Sequence, residues 1–257
     1  MTTRFFGDTA ILTGRSMKHV MRSPDTIITT AVMPIVIMLL FIYVFGGAVT
    51  TGQDTGSGEY IDYVLPGVLL ITVAMGVSYT AYRLFIDMQG GIFDRFHSMP
   101  VARSSALCAH VLTSLVANII SAVLVTGVAL LMGFRTGAGV LGWLAVAGIM
   151  VLFIFALTWV AVLSGLSAKS VDGASAVLQP LIFLPLISSA FVPTESMPGP
   201  VRWFAEHQPV TSIVDTIRDL FVQQPVSGDI WVALAWCVGI SVAACVAAMV
   251  VYRGKVA

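Results

Sequence analysis

The charged positions of this chain are crowded into short intervals that separate long apolar runs. Six stretches contain no Asp, Glu, Lys or Arg: Thr26 to Gln53, Tyr63 to Tyr82, Ser104 to Phe134, Thr136 to Ala168, Gly173 to Thr194 and Ile230 to Tyr252. They are 28, 20, 31, 33, 22 and 23 residues long, and every charged residue lies outside them. A helix needs roughly 20 apolar residues to cross a bilayer, and a charge at its centre costs several kcal/mol. The pattern therefore predicts six transmembrane helices in an all-α membrane protein.

The intervals carry structure of their own. In the first 25 residues, Arg4, Asp8, Arg15, Lys18 and Arg22 recur at steps of three, four or seven beside a stripe of Phe6, Ala10, Met17 and Met21. This predicts an amphipathic interfacial helix with its basic face toward headgroups. A frayed polar tail is the alternative, because Thr13 and Gly14 interrupt the stripe. Between the second and third stretches, Gly90-Gly91 permits a bend and Pro100 biases Met99 away from helix, leaving a short helix with Ile92, Phe93 and Phe96 on one side. Between the fifth and sixth, Pro198, Pro200, Pro209 and Pro225 divide Glu195 to Asp229. There, Ile213, Ile217, Leu220 and Phe221 form an apolar stripe, and Trp203 and Phe204 suit a membrane interface. Two short re-entrant helices dipping into the outer leaflet are expected. The expected organisation is a single domain over 1–257: an arm at 1–25, a six-helix bundle at 26–252 and a tail at 253–257.

Composition agrees with this reading. Of 257 residues, 58% are hydrophobic and 10% charged, with mean hydropathy +0.95. Soluble domains carry about 25% charge, so the composition speaks against a water-soluble globule. The net charge of zero hides an asymmetry. Arg4, Arg15, Lys18, Arg22, Arg83, Arg95, Arg103, Lys169, Arg253 and Lys255 fall on one side of the expected bundle, against Arg135, Arg202 and Arg218 on the other. Ten basic residues against three place both termini in the cytoplasm. A cleaved signal peptide would need an apolar core of roughly 7 to 15 residues near the start. The first apolar stretch instead begins after residue 25 and runs for 28 residues, so it is expected to be retained.

Several chemistries are missing from the sequence. The only glycine-lysine pair is Gly254-Lys255, followed by Val256, so there is no G-x-x-x-x-G-K-S/T phosphate loop. His19, His97, His110 and His207 are scattered without metal-ligand spacing, and Cys108, Cys237 and Cys245 form no C-x-x-C pair. Nothing resembles a nucleophile elbow. Asn118 and Gln179 are the notable amides within the apolar stretches. Such amides either join helices or face a pathway.

Two motifs carry a resemblance that extends over essentially the whole chain. The first is Gly91-Ile92-Phe93-Asp94-Arg95-Phe96-His97-Ser98-Met99-Pro100-Val101-Ala102-Arg103. The second is Ser188-Ser189-Ala190-Phe191-Val192-Pro193-Thr194-Glu195-Ser196-Met197-Pro198, continuing through Trp203-Phe204 and Gln208-Pro209-Val210-Thr211 to Asp215 and Arg218. With the arm and the six stretches, they resemble the type-2 permeases of ATP-binding-cassette exporters, particularly the daunorubicin-resistance branch. One departure is Gln208, where many members have asparagine.

The resemblance implies a bacterial multi-pass plasma-membrane subunit without a catalytic or metal site. Its expected partners are two copies of an ATPase subunit, which hold the ATP and magnesium, and a second or sister permease. Membrane lipids and a hydrophobic or amphipathic cargo complete the set; nucleic acid is not included. The first motif corresponds to the family's cytoplasmic coupling element, here Ile92, Phe93, Asp94, Arg95, Phe96 and Met99. The proline-rich segment is expected to form an outward gate with Phe191, Pro193, Asp215, Arg218 and Phe221, while Asn118 and Gln179 are pathway candidates. A polysaccharide or glycolipid exporter shares this plan, and an intramembrane enzyme or a scaffold is the reading from outside the class.

Overall fold

The computed structural model describes residues 28–45, 57–90, 103–223 and 228–256, with residues 13, 14 and 17. Most of the basic arm and the whole of Ile92 to Met99 therefore lie outside the described residues. Every described element is helical. Helix α1 (Met33–Leu40) is extended at its ends by π-helical turns at Ile28–Val32 and Phe41–Phe45. Then come α2 (Ser57–Gln89), α3 (Arg103–Leu131), α4 (Val140–Ser167), α5 (Val171–Ala176) and α6 (Gln179–Phe183). A 3-10 turn at Leu184–Ile187 prolongs α6, and another lies at Thr194–Ser196. Helices α7 (Gly199–His207), α8 (Pro209–Val222) and α9 (Asp229–Val256) follow.

Among the described residues, four helices are long and apolar enough to cross a membrane, over Tyr60–Gln89, Leu107–Leu131, Val140–Ser167 and Asp229–Gly254. The first and fifth apolar stretches form shorter helical runs, Thr30–Val44 and Val171–Ile187. In the fifth stretch, the single helix expected over Gly173 to Thr194 is replaced by short pieces. Pro180 sits in the first turn of α6 and Pro185 in the first turn of the 3-10 segment. Lacking an N–H, proline begins a helical piece more readily than it continues one. The chain leaves helical conformation at Ser188, whose φ of −128° and ψ of −178° are extended.

The long helices are apolar on all sides, so packing decides which face is covered. In α2, 89% of the apolar window is buried and in α4 61%, against 28% for α3 and 22% for α9. Helix α2 is thus the centre of the bundle. On α3 the buried positions Leu107, Val111, Ser114, Asn118, Ser121, Val125 and Ala129 recur every three or four residues, while Leu112, Val116, Ile120 and Val123 are exposed. On α9 Ala233, Cys237, Ser241, Ala244 and Ala248 face inward, and Trp231, Val238, Val242, Val246 and Val250 face out. An outward apolar face suits hydrocarbon, and small inward residues let helix backbones approach.

Side-chain clusters mark the two ends of the bundle. Leu84, Leu107, Trp159, Val162, Leu166, Ala248 and Tyr252 gather the C-terminal parts of α2, α4 and α9 around the start of α3. At the opposite end, Phe221 of α8 meets Phe134 and Trp143 edge to face, each with ring centroids 5.2 Å apart.

The central contact between α2 and α4 depends on Gly165. A Cβ there would lie 2.9 Å from the Ala81 carbonyl oxygen and 3.2 Å from Leu84. Backbone on the facing helix cannot rotate away as a side chain can, so Gly165→Ala should push the two helices apart, at a cost of about 1–3 kcal/mol. Gly148→Ala on the same helix meets nothing within 4 Å and should be neutral or slightly stabilising. Thermal unfolding in detergent, followed by size-exclusion fluorescence, checks both expectations.

Candidate functional site

Where the chain leaves helical conformation after Ile187, its polar groups lose their regular partners, and side chains from three elements replace them. Gln208, between α7 and α8, donates through Nε2 to the Ile187 carbonyl at 2.6 Å. The Ser188 hydroxyl donates to Pro185 O at 2.7 Å and accepts from the Ala190 N–H at 3.1 Å. The Ser189 carbonyl receives Tyr63 Oη of α2 at 2.8 Å and Arg218 Nη2 of α8 at 2.9 Å. Arg218 also donates to Tyr63 O at 3.3 Å, and its guanidinium lies over the Tyr63 ring at 4.0 Å from the centroid.

Asp215 completes the arrangement. Its Oδ1 accepts from Arg218 Nη1 at 2.9 Å and from the Ser189 hydroxyl at 2.7 Å. The expected pair one turn apart on α8 is formed, with side chains only 20% and 32% exposed. Burial pushes the Asp215 carboxyl above its ordinary value, while the Ser189 hydrogen bond and the Arg218 charge draw it back. Beside this knot, Phe191 stacks on Phe41 with ring centroids 4.2 Å apart. Gly67 of α2 makes room for the same segment: a Cβ there would fall 2.6 Å from Ala190 Cβ and 3.1 Å from the Phe191 ring.

The candidate gate residues thus fall into separate places. Phe191, Asp215 and Arg218 share one assembly around Tyr63 and Ser189. Phe221 belongs to the Phe134 and Trp143 cluster, where its carbonyl caps the end of α8 by accepting from Thr136 Oγ1 at 2.7 Å and Gly137 N at 3.1 Å. Pro193 is exposed and accepts through its carbonyl from Ser196. Tyr63 was not singled out by sequence reasoning; the signal available was a tyrosine one residue beyond the acidic edge of the second apolar stretch.

A second polar assembly lies deeper in the bundle. Thr80 of α2 donates to Ser114 Oγ of α3 at 2.9 Å, and Ser114 Oγ lies 3.1 Å from Thr158 Oγ1 of α4. Asn118 joins this layer through Nδ2, which donates to Ser114 O at 2.9 Å. Three helices are thereby pinned at one level. Asn118 also lines a small cleft between α2, α3 and the start of the first helix. Toward the end marked by Tyr252, Asp87 of α2 lies 3.3 Å from His110 Nε2 of α3. Gln179, the other amide considered for the pathway, is exposed at the beginning of α6 and is not part of the cleft. The signal for Ser114 was present in the sequence: Ser114, Asn118 and Ser121 repeat at helical spacing within an apolar stretch. A larger groove between α3 and α4, floored by Leu69 and Phe221, is almost wholly apolar and offers little to orient a polar cargo.

Arg218→Lys keeps the charge but loses the planar fork that reaches Asp215, Ser189 and Tyr63 together. Its expected cost is about 2 kcal/mol, in the range for hydrogen bonds to charged groups. The variant should therefore unfold at lower temperature than the parent in the same detergent, and Tyr63→Phe should lose less, because one neutral donor is removed. Equal stability of all three proteins would contradict a structural role for this knot.

Residues 8–222 match the ABC-2 type transporter family. The chain is 29% identical over 245 residues to the daunorubicin resistance ABC transporter permease protein DrrB1 of Streptomyces coeruleorubidus, covering 94% of this chain and 84% of that one. It is 27% identical over 253 residues to a probable doxorubicin resistance ABC transporter permease protein, DrrC, of Mycobacterium tuberculosis, covering 97% and 89% respectively. With a family match across α1 to α8 and, among the described residues, four helices long and apolar enough to cross a bilayer, this multi-pass membrane protein belongs to the ABC-2 type transporter family.

Proposed function

We propose that the chain is the permease subunit of an ATP-driven exporter that moves a hydrophobic or amphipathic drug-like molecule out of the cytoplasm or inner leaflet. The observation that carries this reading is the family match over residues 8–222, joined to the two relatives named for anthracycline resistance. The absence of a phosphate loop from the sequence supports a division of labour, in which a separate ATPase binds and hydrolyses ATP with magnesium. The permease itself is then a non-enzymatic subunit. Two ATPase copies and a second or sister permease complete the assembly, as the family resemblance implies.

On this reading Thr30–Val44 and Val171–Ile187 act as the first and fifth of six membrane segments. The basic-residue count places both termini in the cytoplasm. Its support is geometric: the C-terminal parts of α2, α4 and α9 and the start of α3 share one end of the bundle. The other end, with the Tyr63, Ser189, Asp215 and Arg218 knot, is then the outward cap. Pathway closure at that end is assigned to Phe191 against Phe41, with Asp215 and Arg218 holding the turn that bears it. Pro193 and Phe221 flank this gate on either side.

Work from the ATPase must enter through a cytoplasmic surface joined directly to a spanning helix. The connection from α2 to α3 is the longest such segment between helices, and Phe93 and Phe96 give it apolar area for a partner groove. Asp94 and Arg95 provide charge at the rim, with Ile92 and Met99 completing the element. Phe96→Ala and Arg95→Glu should leave membrane insertion at the parental level, yet release the co-expressed ATPase on purification and lower doxorubicin efflux by about tenfold. Normal ATPase capture and efflux in both variants would place the transmission surface elsewhere.

A further inference from the structure

Helices α3 and α4 part on the lipid-facing side of the bundle and leave a groove of about 350 Å³. Thr126 and Gly127 of α3 face Ala147 and Met150 of α4 across it, over a floor of Leu69 and Phe221. Small side chains keep it open: a Cβ on Gly127 would meet nothing within 4 Å. Val123 and Val151, one on each lip, are exposed, so the opening looks out toward hydrocarbon.

The length of the groove is that of one leaflet. Its lining runs from Ile119 to Leu130 on α3 and from Trp143 to Ile154 on α4, eleven residue steps on each helix. At 1.5 Å per residue this is about 16 Å, close to half of a hydrocarbon core of roughly 30 Å. The chemistry of the lining is equally restrictive. Thr126 supplies its one hydroxyl, which donates to Ala122 O of its own helix at 2.8 Å. A cargo bearing hydroxyl or amino groups would be desolvated there without compensation, whereas an alkyl chain loses nothing. An unfilled groove, by contrast, would forfeit dispersion contacts along both walls.

The polar groups stand at one end. Trp143, in the first turn of α4, places an indole where a headgroup region begins. Arg135, on the connection from α3 to α4, is exposed and offers a cation to a phosphate. Asp62 accepts from the Arg135 N–H at 3.2 Å, so this end carries both signs and suits a headgroup without net charge.

We infer that the groove between α3 and α4 holds one acyl chain of a bilayer phospholipid, with the phosphate at the Arg135 end. The chain rests on Phe221 of α8, the helix that carries Asp215 and Arg218, so an occupied groove braces that helix from the side. The site needs only a membrane-spanning bundle, whichever end faces the cytoplasm.

The full-length permease, stripped of lipid in a steroidal detergent that has no alkyl chain to compete, is titrated with phosphatidylethanolamine bearing a diazirine midway along one chain. After illumination and peptide mapping, α3 and α4 should carry about tenfold more label than α9, whose Val242 and Val246 also face out. Gly127→Leu and Ala147→Leu fill the groove from opposite walls and should each lower that label about tenfold, a loss equal to the burial of roughly two methylenes. Gly239→Leu, on an open face of α9 where a Cβ meets nothing within 4 Å, should leave it unchanged. Added phosphatidylethanolamine should raise the unfolding temperature of the parent and not that of Gly127→Leu; if Gly127→Leu does not fold, Ala147→Leu takes its place in both measurements. Equal labelling of α3, α4 and α9, which is an annular film only, no labelling at all, or undiminished labelling in the filled variants would overturn the site. So would clearance of the label by doxorubicin, which gives the groove to the cargo, or a permease dimer that the lipid dissociates, which gives it to a second copy.

Discussion

Between Ser188 and Pro193 the chain leaves helical conformation among packed helices, and its carbonyls must be satisfied by side chains or protein-enclosed water. Arg218 meets most of that demand. Its guanidinium ties the Ser189 carbonyl to the Tyr63 carbonyl of α2 and to the Asp215 carboxylate of its own helix. The non-helical segment is thereby held against the most buried helix in the bundle. That placement sets Phe191 on Phe41 and presses Ala190 into the space left by Gly67. Without a donor fork at this position, the turn would lose its tie to the Tyr63 carbonyl and to Asp215, and only the Tyr63 hydroxyl and the packing at Gly67 would hold it on α2.

The deeper Thr80, Ser114 and Thr158 layer follows the same physics with neutral groups. In an apolar bundle, hydroxyls sharing hydrogen bonds fix helix level and rotation, although each bond contributes only modestly to stability. The layer aligns α2, α3 and α4, and Asn118 extends it to the edge of a cleft. The two polar assemblies occupy different heights on α2, the earlier at Tyr63 and the later at Thr80. A movement of α2 would therefore disturb both.

Much of this was legible in the chain. Charge-free stretches locate all four long apolar helices, because hydrocarbon excludes charge whatever the tertiary packing. The prolines in the fifth connection mark the beginnings of α7 and α8, since proline is compatible with a first helical turn. In the fifth stretch, Pro180 and Pro185 divide what hydropathy alone reads as one helix. Asp215 and Arg218 could be paired from their spacing, but Tyr63 and Ser189 could not be added, because both contacts span long sequence separations. Phe221 shares a stripe with Ile213 and Ile217, yet its ring meets Phe134 and Trp143, and a one-dimensional pattern does not identify the partner of a buried face. Gln208 entered as a departure from the family motif and proves to be the donor for the Ile187 carbonyl, a role its longer side chain can fill.

On the proposed reading, the turn held by Arg218 closes the outer end of the pathway, and Phe191 must leave Phe41 during export. Cysteines replacing Phe41 and Phe191, joined by a short bifunctional thiosulfonate in cells that express the permease with its ATPase, test it directly. Cross-linking should occur in the resting state and arrest doxorubicin efflux, and a reducing agent should restore it. Full efflux through a quantitatively cross-linked permease would contradict the account.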